Sequence, residues 1–261
     1  MTMKRLITAV FAAALALTGF QLQAKEWTTV RIGVEGAYPP FSYVDQNGNL
    51  KGFDIDIAEA LCVAMKVECV LVTQDWDGII PALLARKYDA IIASLSITEE
   101  RKKKLDFTNK YYNTPVKFIA KKGAGVEISK EGLKGKSVGV QRATIHDKYL
   151  TDNYGDVVEI KRYGTQDEAY LDMSAGRVDL LLADSVALSD GFLKTEAGAD
   201  FEFVGPDLTD VRWFGEGEGI ALRKGDDELR EMFNQAIATI RENGTYQAIQ
   251  DKYFDFNIYG E

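Results

Sequence analysis

The sequence predicts an α/β protein of two lobes, each a mostly parallel sheet flanked by helices, with a ligand cleft between them. Three observations predict it. Strand-like and helix-like segments alternate along the chain, the pattern of parallel sheets covered by helices. Two stretches repeat one another faintly: Arg31-Ile32-Gly33-Val34-Glu35 resembles Ser137-Val138-Gly139-Val140-Gln141, and Ala85 to Ser94 resembles Ala175 to Asp184. The remainder, residues 217–261, leaves no room for a third unit and is best used to complete the first.

The chain opens with Lys4 and Arg5, an apolar run from Leu6 to Gly19, and the polar exit Gln21-Leu22-Gln23-Ala24. That is the layout of a secretory leader, too short for a spanning helix. Cleavage is expected after Ala24, although Leu22 is larger than usual two positions before such a site, and the destination is the periplasm. The formal net charge of −9 over 261 residues makes nucleic acid an unsuitable partner. The basic run Arg101-Lys102-Lys103-Lys104 reads as a solvated helix face.

Strands are expected at Val30–Val34 and Val67–Thr73, rich in β-branched residues. Between them Ile57, Ala58, Leu61, Cys62 and Met65 recur at helical spacing. Ile79, Ile80, Leu83 and Leu84 mark a second helix, with Pro81 in its first turn. The second unit offers strand Lys136–Val140 with a helix from about Thr144, then Val157–Lys161 with a helix after Thr165. Thr165 and Glu168 have capping-box spacing, and Gly176 suits the far end. A long helix runs from about Asp227 to Asn243, ahead of Gly244. Cys62 and Cys69, an isolated pair in an exported chain, read as a disulfide worth about 2–3 kcal/mol. With one histidine and no second cysteine pair, neither a metal nor a cofactor is expected.

The repeat places lobe 1 at 25–113 and 217–261, and lobe 2 at 114–208. The chain then crosses twice, near 113–117 and 208–216, which makes a hinge with one dominant bending mode. Gly215, Gly217 and Gly219 on the second crossing permit unusual backbone angles.

Ligands of open α/β sheets sit beyond the carboxyl ends of the strands, and the repeat sets Glu35 opposite Gln141 and Ser94 opposite Asp184 at such ends. Ser94-Leu95-Ser96-Ile97-Thr98 leads into a helix start with Arg101 in it. Backbone N–H groups and a guanidinium fork there suit a carboxylate; the plainer reading is a capped helix with a surface arginine. Asp184 ends an apolar run and needs a partner, either a ligand ammonium or a neighbouring helix start. Glu35 would suit a second positive group. Tyr38 and Trp76 either stack on a guanidinium, at about 0.5–2 kcal/mol each, or simply fill the core. Gln141-Arg142-Ala143-Thr144 offers further carboxylate donors through its backbone and the Thr144 hydroxyl. His146 has no nucleophile or metal partner in sequence, so a surface or cleft-lining role is expected, not a catalytic one.

The chain resembles the family-three extracellular solute-binding proteins of polar amino-acid ABC transporters over nearly all of its mature length. The resemblance rests on Arg31-Ile32-Gly33, Tyr38-Pro39-Pro40-Phe41-Ser42, Gly52-Phe53-Asp54-Ile55-Asp56-Ile57-Ala58, Ser94 through Arg101, Gly135 to Val140, and Lys252 to Gly260. It is nearest the lysine/arginine/ornithine-binding and arginine/ornithine-binding branch, short-spaced cysteines included. The resemblance implies a type II periplasmic binding-protein fold, a basic amino acid as ligand (arginine first, then ornithine or lysine), and a membrane permease as partner. A monomer is expected. The resemblance also implies that Arg101 holds the ligand carboxylate with the help of Ser94, Ser96 and Thr144. Asp184 takes the α-ammonium, Tyr38 and Trp76 sandwich the side chain, and Glu35 faces its cationic end. Ala93 stands where a serine is frequent, so ligand choice within the class is open. The alternatives are an opine or histidine on the same scaffold, or an enzyme like the periplasmic cyclohexadienyl dehydratases.

Overall fold

A computed structural model describes residues 27–260; the expected leader and its cleavage point after Ala24 lie outside the described residues. Two five-stranded sheets form the frame. The first runs in the order Glu68–Thr73, Thr29–Val34, Ala90–Ile91, Glu218–Arg223, Leu105–Tyr112. The second runs Glu159–Tyr163, Ser137–Gln141, Leu180–Asp184, Val116–Lys121, Phe201–Leu208. In each, the first three strands pair in parallel and the fourth is antiparallel to both neighbours. Each sheet is therefore mostly parallel in strand direction, with a single reversed strand.

The reversal has a simple cause. Leu105–Tyr112 ends at the carboxyl edge of the first sheet, and Asn113–Pro115 carries the chain to the second. The chain arrives at the matching edge, so Val116–Lys121 must run away from it. The return repeats the geometry: Phe201–Leu208 ends at the edge, and Glu218–Arg223 runs back into the first sheet. The short helix Val211–Phe214 occupies this second crossing, and Asp210 caps it. Gly215 there has φ of +84°, and a side chain would stand 2.5 Å from the Ile97 carbonyl. Gly219 differs from expectation. Its φ is not in the left-handed region; it is small because a Cβ would lie 2.7 Å from Ile97 Cδ1.

The helices follow the apolar spacing. Phe53–Met65 buries Ile57, Ala58, Leu61 and Cys62, and packs against Asp227–Glu242, which buries Leu229, Phe233, Ala236, Ile237 and Ile240. Thr165 and Glu168 form the capping box expected of them at the start of Gln166–Ser174. Pro81 corrects a placement: the helix begins at Trp76 behind Asp75, so the proline lies in its second turn. The polar run Asp75-Trp76-Asp77-Gly78 starts the helix earlier than its apolar spacing shows. The run from Arg101 to Lys104 also departs from a solvated face. Arg101 turns inward, Lys102 bridges Glu99 and Glu216, and only Lys103 and Lys104 are exposed.

An aromatic cluster closes the first lobe near the crossing. Phe41 stacks on Tyr112 at 4.8 Å, Phe53 meets Phe254 at 5.2 Å, and the Tyr246 hydroxyl donates to the Tyr111 carbonyl at 2.7 Å. Each fully buried ring of this kind contributes about 1.5–3 kcal/mol by removal of apolar surface from water. The chain after Thr245–Tyr253 folds back so that Ile258 O accepts from Asn113 N at 3.0 Å. Residues beyond the second crossing thus finish the lobe that the earlier ones began.

Cys62 and Cys69 form a disulfide, with Cα atoms 6.0 Å apart, tying helix Phe53–Met65 to edge strand Glu68–Thr73. It constrains a short loop in the unfolded chain, worth about 2–3 kcal/mol. Cys62→Ser/Cys69→Ser is expected to lower the melting temperature by about 5–10 °C, measured by scanning calorimetry. Neither cysteine lines the cleft, so a simultaneous loss of ligand affinity would contradict this separation of roles.

Candidate functional site

The carboxyl edges of the two sheets face each other across a narrow cavity. Glu35, Tyr38, Trp76, Ala93, Ser94, Ser96 and Arg101 line it from one side; Gln141, Thr144, Ile145 and His146 line it from the other. Local structure explains each position. Glu35 follows the last residue of Thr29–Val34, and Gln141 ends Ser137–Gln141. Tyr38 is fixed by a two-residue strand paired to Ser42–Val44. Trp76 opens its helix behind Asp75, and Ile145 and His146 open theirs behind Thr144. Arg101 sits on the one-turn helix Glu99–Lys102, capped by Thr98.

The cavity has two electrical poles. At one, Arg101 is half-buried, with Nη1 donating to the Ser96 carbonyl at 3.0 Å and Cζ lying 5.7 Å from the Trp76 ring centroid. Burial lowers its pKa to about 10, opposed by Glu218 and Glu100, so the guanidinium stays charged at neutral pH. His146 shares that region: burial, and then the Arg101 charge, push it down to about 3, which keeps it neutral. At the other pole burial lifts the Glu35 carboxyl to about 7. The hydrogen bond from Gln141 opposes that rise, and the charges of Asp167 and Asp75 add to it. A ligand with an anionic head and a cationic tail complements both poles.

Contacts across the cleft hold the lobes together. Gln141 Nε2 donates to Glu35 Oε1 at 2.5 Å, Trp76 Nε1 donates to the Ala143 carbonyl at 3.3 Å, and Arg142 Nε pairs with Asp77 Oδ2 at 2.6 Å. Two hydroxyls offered by the sequence are already engaged. Thr144 Oγ1 donates to the Gln141 carbonyl at 2.8 Å and accepts from Asp147 N at 3.1 Å. Ser94 Oγ donates to Asp54 Oδ2 at 3.0 Å.

Ten of the eleven ligand candidates from the sequence thus line one cavity. Asp184 is the exception and is not among the residues that line it. Its Oδ1 accepts from Val186 N and Ala187 N at 2.8 and 3.1 Å, and its Oδ2 accepts from Thr114 Oγ1. It caps the helix Ser185–Leu188, the plainer of the two uses its position allowed. It remains adjacent, since the Tyr38 hydroxyl meets its main chain. Sequence reasoning passed over Ile145, whose apolar character carries no chemical signal. It also passed over the Arg142–Asp77 rim pair, 65 residues apart in sequence. Glu218 was hidden between two glycines read as hinge; it is buried, with one carboxyl oxygen lacking a hydrogen-bond partner.

Two α/β lobes with a polar cavity between facing strand ends define the type II binding-protein architecture. The chain belongs to the bacterial extracellular solute-binding proteins, family 3, whose model matches residues 30–256. It is 56% identical over 232 residues to an L-arginine-binding protein of Pseudomonas aeruginosa, covering 88% of this chain and 90% of that one. It is 44% identical over 234 residues to the lysine/arginine/ornithine-binding periplasmic protein of Escherichia coli, covering 89% and 90%. Among solved structures it is similar to an ancestral arginine-binding protein bound to arginine, with TM-score 0.80 and 38% identity, covering 87% and 98%.

Glu35 yields a test of the burial argument. Its folded-state pKa of about 7 lies above the ordinary carboxylate value, so the native state binds the extra proton. The stability that this proton adds is complete below about pH 4.3 and is lost as pH rises through 7. Glu35→Gln is expected to raise the melting temperature by about 5 °C at pH 8, with the difference shrinking toward pH 5 in calorimetric scans. An unchanged melting temperature at pH 8 would mean the carboxylate is well solvated.

Proposed function

We propose that this protein is the substrate-binding component of an ABC transporter for basic amino acids, arginine first, with ornithine and lysine as further ligands. The observation that carries this reading is the two-pole cavity: a half-buried cation, Arg101, and a desolvated acid, Glu35, with Tyr38 and Trp76 lining the same space. The ligand carboxylate would take the free donors of the Arg101 fork. The aromatic rings would flank the aliphatic stem and the guanidinium, and Glu35 would exchange its bond with Gln141 for the cationic tail. Asp184 would receive the α-ammonium: three of its roughly four lone-pair sites are used, and their donors hold it in one orientation. The names of the relatives agree with arginine as the foremost ligand.

In this reading the lobes are residues 25–113 with 217–261, and residues 114–208, and they open about the two crossings. The cross-cleft contacts are those that opening would break. The leader is removed after Ala24, the mature protein works in the periplasm as a monomer, and its partner is the membrane permease. It binds its ligand without changing it, so incubation with prephenate should give no aromatic product.

Calorimetric titration of protein freed of ligand by unfolding and refolding is expected to show tight arginine binding. Arg101→Ala should weaken that binding on the order of 100-fold or more, because several charge-assisted bonds go at once. No heat with any basic amino acid would refute the ligand class. Acidity gives a second check. Glu35 must be ionised to meet a cation, and its carboxyl in the ligand-free cavity loses its proton only near pH 7. Arginine affinity should therefore fall as pH drops below 7, by at most tenfold per unit. Glu35→Gln should bind more weakly at pH 8 but show little change between pH 8 and pH 5.5.

A further inference from the structure

Ser94 lines the cavity with its backbone in the left-handed region, φ +51°, where residues other than glycine are uncommon. A closed ring of hydrogen bonds surrounds it. Ser94 N donates to Tyr111 Oη at 3.3 Å, Tyr111 Oη donates to Asp54 Oδ1 at 2.9 Å, and Ser94 Oγ donates to Asp54 Oδ2 at 3.0 Å. Asp54 and Tyr111 are both 0% exposed, and neither lines the cavity. The ring joins three segments distant in sequence: the first turn of Phe53–Met65, the strand Leu105–Tyr112, and the loop after Ala90–Ile91. A buried carboxylate is costly to keep, and this one spends both oxygens on groups that end at Ser94.

We propose that Asp54 and Tyr111 are positioning residues of the ligand cavity: together they clamp Ser94 in its left-handed conformation, so that its main chain forms the cavity wall in the shape the bound amino acid requires. The effect on binding rests on the arginine reading above; the clamp itself does not. Without the ring, the serine backbone relaxes toward ordinary angles, and each binding event must restore the rarer one. Apparent affinity then falls by the fraction of molecules still in the competent form, roughly tenfold for the usual preference of an L residue. Glycine adopts the left-handed region freely, so Ser94→Gly should make the clamp dispensable.

The test is a double-mutant cycle with two readouts. Arginine Kd is measured for wild type, Asp54→Asn, Ser94→Gly and the double variant, with Tyr111→Phe, which removes the two hydrogen bonds of the Tyr111 hydroxyl with little change of shape, run in both backgrounds. Asp54→Asn is expected to weaken binding about tenfold and Tyr111→Phe about three- to tenfold in the serine background. In the glycine background each should change Kd by less than about threefold. A merely structural role would lower the melting temperature alike in both backgrounds and leave no such non-additivity. The second readout, the Ser94 backbone angle from its NMR coupling constants without ligand, should leave the left-handed region in Asp54→Asn and in Tyr111→Phe. Equal losses in both backgrounds, or an unchanged Ser94 angle in the folded variants, overturns the clamp. If wild type binds no arginine, the ligand reading fails, and the backbone angle still decides the clamp. If Asp54→Asn does not fold, the Tyr111→Phe pair decides by the same measures.

Discussion

A guanidinium buried in a cleft is the constraint around which the rest of this structure is arranged. Arg101 is held half-buried on a helix of a single turn, so the fold must orient it from outside that helix. Thr98 caps the turn, the Ser96 carbonyl takes one guanidinium N–H, and the guanidinium carbon lies over the Trp76 ring. Nearby His146 is kept neutral, so that pole carries a single well-defined cation. Such a group is stable in a low-dielectric setting only when charge of the other sign arrives.

The site is also a place where the fold gives up stability. Burial raises the carboxyl pKa values of Glu35, Asp54 and Asp184 well above the ordinary range. Each therefore opposes folding once it is ionised near neutral pH. By contrast Asp89, at the opposite edge of the first sheet, is held low by the guanidinium of Arg31 with help from Arg223. Asp89 is thus paired by the protein itself, whereas Glu35, Asp54 and Asp184 have no cation beside them among the described residues. Across the rim, the half-exposed Arg142–Asp77 pair is ionic, worth about 1 kcal/mol or less in solvent.

Much of this was legible in the sequence, and the legible part has a common physical basis. The strand-end positions of Glu35, Gln141 and Asp184 follow from short apolar and β-branched runs together with an internal repeat, patterns visible along the chain. Arg101, Tyr38 and Trp76 stood out because charge and aromatic area next to turns are hard to place elsewhere. What was not legible depends on distant segments meeting. Asp54 in the first turn of a helix looks like any solvated acid favourable to the helix dipole, and only its closeness to Tyr111 and Ser94 gives it another meaning. The Asp184 carboxylate could satisfy either a ligand or a helix start, and one-dimensional pattern cannot weigh the two. Pro81 was misplaced because helix starts made of polar residues carry no periodic signal.

The reversed strands have a consequence for how such a molecule is divided. Glu218 lies directly opposite Tyr112 in the first sheet, so the chain leaves and re-enters that sheet at neighbouring points. Everything from Asn113 to Gly217 is, in topological terms, an elaborate loop closing a hairpin whose two arms are already hydrogen-bonded. A short turn could bridge the same gap, which makes the first lobe a natural starting point for a miniature protein built from discontinuous pieces.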